Sequence, residues 1–360
     1  MGKKSGTESK HPTSRKSVRS PAKSGTPAVE GDRLADFVAT VTRTSGPTAR
    51  ATQFEAVAAP GRLQCAAFLA EQRARPPHRL PAIVLDRKRV KLPPAAADAP
   101  PVFLNATYAD WNREDYVLAQ APAPDELEHF WRLVWQDGCR LIVCVLERAG
   151  FSPTDPHGAA AFFPTDEQPL QLPSGRFVVR LANRADCKGG AQLYECDLTA
   201  TDEADLKRAP DSQSGSSDAA ADPRTRRVQV LHLDGWRRGE WPDVDQLAAF
   251  ALAVCRAEAA IVKRITDDYV PPVVLVSLDA LQRAPALWVW LILGKQIERR
   301  EIFDVGALVH HVAKWRPGAL TDRLAFFLTH AVALRMAAMN GWLTLEEAQT
   351  RIKEIRAGAK

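Results

Sequence analysis

The sequence predicts an α/β protein with an antiparallel portion (α+β). The apolar runs Leu141-Ile142-Val143-Cys144-Val145 and Val273-Val274-Leu275-Val276 read as buried strands. Gly175-Arg176-Phe177-Val178-Val179-Arg180 and Arg226-Arg227-Val228-Gln229-Val230-Leu231 read as strands of an antiparallel part of a sheet. From Ala286 onward the pattern is mostly helical, and Thr344-Leu345-Glu346-Glu347 matches a capping box that opens the final helix.

The rest of the chain is organised around those elements. Residues 1–30 are rich in Ser, Lys, Pro and Gly and read as a disordered tail. Residues 31–360 read as one folded domain. Within it, residues 202–224 are full of Ser, Asp, Ala and Pro and read as a surface loop insertion. The net charge of +5 lies wholly in the tail, which holds seven Lys or Arg against Glu8 and Glu30. Residues 31–360 are therefore neutral overall and no general polyanion binder, whereas the tail could contact nucleic acid.

Several classes are disfavoured. No run of about 18 apolar residues occurs, so no membrane span is expected. Met1–Lys23 is polar and basic, unlike a secretory signal. The cysteines, Cys65, Cys139, Cys144, Cys187, Cys196 and Cys255, show neither Cys-x-x-Cys spacing nor a His/Cys cluster. Reduced thiols, no metal, no cofactor and a cytoplasmic or nuclear setting are the expectations.

A set of spaced motifs narrows the reading. Phe103-Leu104-Asn105-Ala106-Thr107 is followed by Tyr116-Val117-Leu118-Ala119-Gln120-Ala121-Pro122, then by Phe130-Trp131-Arg132-Leu133-Val134-Trp135, then by Leu141-Ile142-Val143. Asp86-Arg87-Lys88-Arg89-Val90-Lys91-Leu92 stands upstream, and Ala161-Phe162-Phe163-Pro164 and Trp315-Arg316-Pro317-Gly318 stand downstream. In order and spacing this resembles the protein tyrosine phosphatase family, from about Gln53 to Ala338. The resemblance implies a single domain with a twisted, mixed sheet flanked by helices. Without the family, Phe130, Trp131, Leu133, Val134 and Trp135 say only that a helix packs on a core.

The resemblance also implies a chemistry, and the residues depart from it. The family uses a cysteine thiolate in a loop reading His-Cys-x5-Arg-Ser/Thr-Gly. Here Ser277 stands at the nucleophile, Val276 stands at the His, and Arg283 keeps its spacing. Leu278, Asp279, Ala280, Leu281, Gln282 and Pro285 replace the small and glycine residues. Asp279 would repel a dianion. The bland alternative is a strand-to-helix turn with Arg283 paired to a local carboxylate.

The family's general acid lies in a Trp-Pro-Asp loop. A literal Trp241-Pro242-Asp243 is present. However, a His four residues before the Trp and a Pro six after it favour Trp236 as the counterpart. That register puts Arg237 and Arg238 at the Pro and Asp positions, and an Arg donates no proton near neutral pH. In the other register Asp243 would be the acid. No Gln follows Gly318, where the family positions a water, and Arg79 stands at the ring-stacking Tyr. The expectation is a pseudophosphatase: an inactive fold used as a protein-interaction or regulatory module. Arg79, Arg237 and Arg238 would receive an acidic peptide. Three other readings stay open: a phosphotyrosine-peptide trap through Ser277 and Arg283, a residual enzyme, and a packaging protein whose tail at residues 1–30 binds nucleic acid. The basic tail and the Ala/Arg-rich composition would suit a virus-encoded member.

Overall fold

A computed structural model describes residues 64–74, 82–94, 102–112, 114–152, 158–187, 189–202, 222, 224–237, 239–265, 269–301 and 304–359. The tail, Arg79, Arg238 and residues 203–221 of the expected loop insertion lie outside the described residues.

The expected buried strands form the centre of one sheet. Its strands are β1 (Ala106–Trp111), β2 (Glu114–Gln120), β3 (Leu141–Val145), β4 (Leu170–Gln171), β5 (Phe177–Asp186), β6 (Ala191–Ala200), β7 (Thr225–Leu233) and β8 (Val273–Ser277). Their order is β1-β2-β8-β3-β7-β6-β5-β4. The pairs β2/β8, β8/β3 and β3/β7 are parallel, and the pairs on either side are antiparallel. A strand with both faces covered reads as an unbroken apolar run, which is why β3 and β8 were legible.

The two faces of these strands feed two cores. Leu141, Val143, Val145 and Leu275 point to one, and Ile142, Cys144, Val274 and Val276 point to the other. Helix α1 (Ala66–Ala74) is capped from a distance: the backbone amides of Ala66 and Ala67 donate to the Asp86 carboxylate at 2.7 and 2.9 Å. Helix α2 (Leu127–Gln136) covers the second face with Phe130, Trp131, Leu133, Val134 and Trp135, all buried. The Trp131 indole donates to the Phe162 carbonyl at 2.8 Å. Fully burying each such side chain contributes about 1.5–3 kcal/mol.

The first face is covered by α3 (Val244–Val262), α4 (Arg283–Glu298), α5 (Val305–Trp315) and α6 (Arg323–Met339), with α7 (Leu345–Ala359) docked on α6. The expected capping box opens α7. The Thr344 amide donates to Glu347 Oε2 at 2.8 Å, and the Glu347 amide donates to Thr344 Oγ1 at 3.2 Å.

Two expectations need adjustment. The strand expected at 175–180 starts at Phe177, after a turn at Gly175, and runs on to Asp186 as half of a hairpin with β6. Its outer part, from Ala182 to Asp186, is exposed, so no apolar alternation marked it. The strand expected at 226–231 extends at both ends. All six cysteines are free, and no described helix is long and apolar enough to cross a membrane.

Candidate functional site

Four parallel strands end together. In register, Val145 lies across from Ser277 and from Leu233, and Gln120 lies across from Ser277. The loops leaving β2, β3, β7 and β8 therefore meet at one edge, the usual place for a site in a parallel sheet. Ser277, Arg283 and Arg237 are all carried by those loops.

The loop after β8 is folded around its own first residue. Ser277 is completely buried. Its Oγ accepts the amide of Ala280 at 3.1 Å and that of Ala284 at 3.4 Å. Among the described residues no side chain hydrogen-bonds to this hydroxyl. Asp279 Oδ1 accepts the Leu281 amide at 2.9 Å, a local turn closed by the side chain. Ala280 is buried with φ of +52°, a left-handed conformation that costs a non-glycine residue about 1–2 kcal/mol. Pro285 brings no amide to the helix start.

Arg283, the first residue of α4, turns away from the loop. Its Nη2 donates to Glu147 Oε1 at 2.6 Å, and both side chains are largely buried. Glu147 sits two residues past the end of β3. The next residue, Arg148, pairs with Asp234 at 3.3 Å, and its amide donates to the same carboxylate at 2.7 Å. A chain of charges thus crosses the edge of the sheet from α4 to the segment after β7.

That segment holds the residues named for the general-acid position. The His232 ring Nε2 lies 2.7 Å from the Leu146 carbonyl. A carbonyl only accepts, so Nε2 carries the proton. Burial pushes the pKa of His232 down, partly opposed by this bond. Trp236 is buried and stacks on Trp290 of α4, with centroids 5.4 Å apart. Arg237 is exposed and pairs with Glu240 at 4.0 Å. Asp243, the acid of the other register, caps α3: its Oδ1 accepts the amides of Asp245 and Gln246 at 2.8 and 3.2 Å. Trp236 is therefore the tryptophan packed on the helix that follows the Ser277 loop.

Arg316 ties the loop to the rest of the sheet. It is fully buried. Its Nη2 donates to Asn105 Oδ1 at 2.5 Å, Nη1 to Thr107 Oγ1 at 3.0 Å, and Nε to the Ala280 carbonyl at 3.4 Å. Burial pushes its pKa down to about 9, with the Asp279 charge opposing. The Leu320 amide donates to the Leu281 carbonyl at 2.8 Å, so the turn after Arg316 closes over the loop.

The thiols lie elsewhere. Cys255 is buried between α3 and α4, with Sγ 3.7 Å from the Leu291 carbonyl. Cys144 is fully buried in β3, and burial holds its pKa well above the ordinary thiol value. Val276 faces the second core.

A family model described as protein-tyrosine phosphatase matches residues 76–335. The chain belongs to the protein-tyrosine phosphatase family. It is 40% identical over 62 residues to receptor-type tyrosine-protein phosphatase U of Gallus gallus, covering 17% of this chain and 4% of that protein. It is 31% identical over 101 residues to tyrosine-protein phosphatase non-receptor type 2 of Homo sapiens, covering 27% of this chain and 22% of the relative. Receptor-type tyrosine-protein phosphatase C of Mus musculus is 36% identical over 62 residues, covering 17% of this chain and 5% of that protein. The chain thus spans only a small part of the length of these relatives.

Several members of this phosphatase-family site were not named from sequence. Glu147 was missed, although a carboxylate just past a buried strand end is a readable signal. Arg316 was quoted only as part of a motif. Trp290 and Asp234 carried no signal before the helix and strand ends were placed.

Proposed function

We propose that this chain is a catalytically inert member of its family that serves as a protein-interaction module. The observation that carries this reading is the state of the Ser277 loop. Two amides that would face a bound phosphate are directed at the Ser277 hydroxyl, and the guanidinium that would clamp it is held by Glu147. A hydroxyl with no base to take its proton is a poor nucleophile. Arg238 stands at the general-acid position and Arg237 at the proline position before it, and an Arg donates no proton near neutral pH.

The rim fits an acidic peptide. Arg148 and Arg237 are more than half exposed, and their pairs with Asp234 and Glu240 are of the surface kind, worth about 0–1 kcal/mol. A peptide carboxylate could exchange with those partners at little cost. Arg283 is the residue that would distinguish a phosphotyrosine ligand from an acidic one.

The test has two arms. Turnover of an aryl phosphate by the wild type should match that of Arg283→Ala, because neither uses the loop; turnover lost only in the variant would sink the inert reading. Fluorescence anisotropy should show a Glu-rich peptide bound by the wild type and lost in the Arg237→Glu, Arg238→Glu double variant. Tight binding of a phosphotyrosine peptide, abolished by Arg283→Ala, would favour a trap instead.

A further inference from the structure

Trp111, Trp288, His311 and Trp315 form one aromatic cluster where α5 meets β1 and α4. The His311 ring lies parallel to that of Trp288, with centroids 5.8 Å apart, and edge-on to that of Trp111 at 4.9 Å. Its Nε2 has two partners. The Trp315 indole N–H donates to it at 2.9 Å, and the Asp110 backbone carbonyl lies 2.9 Å from the same nitrogen.

Those two contacts make opposite demands on one atom. An indole N–H only donates and a carbonyl only accepts, whereas an imidazole nitrogen offers either a lone pair or an N–H. With the lone pair on Nε2, Trp315 is satisfied and the Asp110 carbonyl faces the ring without a hydrogen between them. With a proton on Nε2, the carbonyl is satisfied and the indole is turned away. The neutral ring holds either arrangement by its choice of tautomer. The imidazolium carries hydrogens on both nitrogens and leaves only the second. Nor does the cluster offer a spare acceptor, since the buried indole nitrogens of Trp111 and Trp288 already lack one among the described residues.

The surroundings tolerate a charged ring. The Trp288 face suits a cation. The Asp110 carboxylate, paired with Lys88 at 2.6 Å, and Asp115, opposite Asp110 on β2, favour the charge. Lys88 and Arg87, each 4.6 Å from the Trp315 ring centroid, oppose it. On α5 itself His310 and Lys314 are exposed. On α4, Arg283 and Lys295 are tied to Glu147 and Glu258. On α6, Arg323, Arg335 and His330 are tied to the Gly358 carbonyl, Asp245 and the Phe326 carbonyl.

We propose that His311 is a pH-operated selector whose protonation exchanges the Trp315 indole for the Asp110 carbonyl. Trp315 is followed by Arg316, which holds the Ala280 carbonyl, and by the turn whose Leu320 amide donates to the Leu281 carbonyl. The exchange thus acts on the segment that closes over the Ser277 loop, and acid loosens that closure.

The experiment is a series of indole ¹⁵N–¹H spectra of the full chain between about pH 8 and 5, the range in which histidines change charge. The Trp315 resonance is the one missing from Trp315→Phe. In the wild type its proton should move upfield along a single sigmoid as the pH falls, the direction of a lost hydrogen bond. It should stay still in His311→Gln, because an amide offers an acceptor and a donor at every pH. Should His311→Gln fail to fold, the wild type decides alone: the His311 Cε1–H and Trp315 indole resonances should share one midpoint. The Leu320 amide should exchange with solvent faster in the wild type than in His311→Gln at about pH 5.5, and equally at about pH 8. A Trp315 resonance that is still, that moves downfield, that moves alike in His311→Gln or that has a midpoint of its own would overturn the proposal. So would equal Leu320 exchange in the two proteins at both pH values.

Discussion

Ser277 and His232 lie near the ends of β8 and β7, the two strands that flank β3, and each makes its bonds inward. The Ser277 hydroxyl is engaged by its own loop, and the His232 proton by the Leu146 carbonyl. For His232 this has a pH consequence. Its pKa is held below the ordinary value of about 6.5, chiefly by burial. As pH falls through 6.5 the unfolded chain binds a proton that the folded chain refuses, so stability is lost there. The carboxylates Asp115, exposed, and Asp137, half-buried, have pKa values raised chiefly by desolvation and act in the opposite sense. The contribution of His232 is therefore read from a difference. His232→Gln retains an N–H donor, and should lose less stability than the wild type between about pH 7.5 and 5.5. Urea midpoints at the two pH values measure it, and equal losses would mean that His232 does not titrate in that window.

At the scale of elements, helix packing overrides local preference. Gly294 lies in the interior of α4, where Ala would ordinarily be better by about 1 kcal/mol. A Cβ there would meet Cys255 Sγ at 2.8 Å and the Met336 methyl at 3.2 Å. Overpacking of this kind costs about 1–3 kcal/mol, so Gly294→Ala should destabilise. Adding Cys255→Ala removes the closest atom, and the double variant should recover part of the loss. Chemical denaturation of the four proteins gives the coupling; strictly additive losses would mean that the contact is not the cause.

At the scale of the whole molecule, Arg316 connects parts of the chain about two hundred residues apart. It joins Asn105 and Thr107 at the entry to β1 with Ala280 in the loop after β8. Replacing it with Met would strip buried acceptors of a charged donor, each such bond being worth about 1.5–3 kcal/mol. We expect Arg316→Met to lose about 3 kcal/mol or more in urea unfolding, with one cooperative transition retained. A loss under about 1 kcal/mol would show that the side chain is peripheral to stability.

The legibility of the fold followed burial. Strands β3 and β8 stood out as apolar runs because both of their faces are covered, and the aromatic face of α2 stood out because it packs on the core. The outer half of β5 and the hairpin it makes with β6 were hidden, because exposed polar residues carry no periodicity. At the site, the order and spacing of the motifs pointed to the segments holding Ser277, Arg283 and Trp236, and the structure adds what each of them touches.

What the sequence determined by itself is the family scaffold and which residue types stand at each position, since both are fixed by local pattern. What only the tertiary structure decided is which groups those residues touch. Glu147 reaches Arg283 across 136 residues, and the Ala280 amide that meets the Ser277 hydroxyl belongs to a loop pinned through Arg316. Such pairings depend on the register of strands distant in sequence, and no local pattern encodes that register.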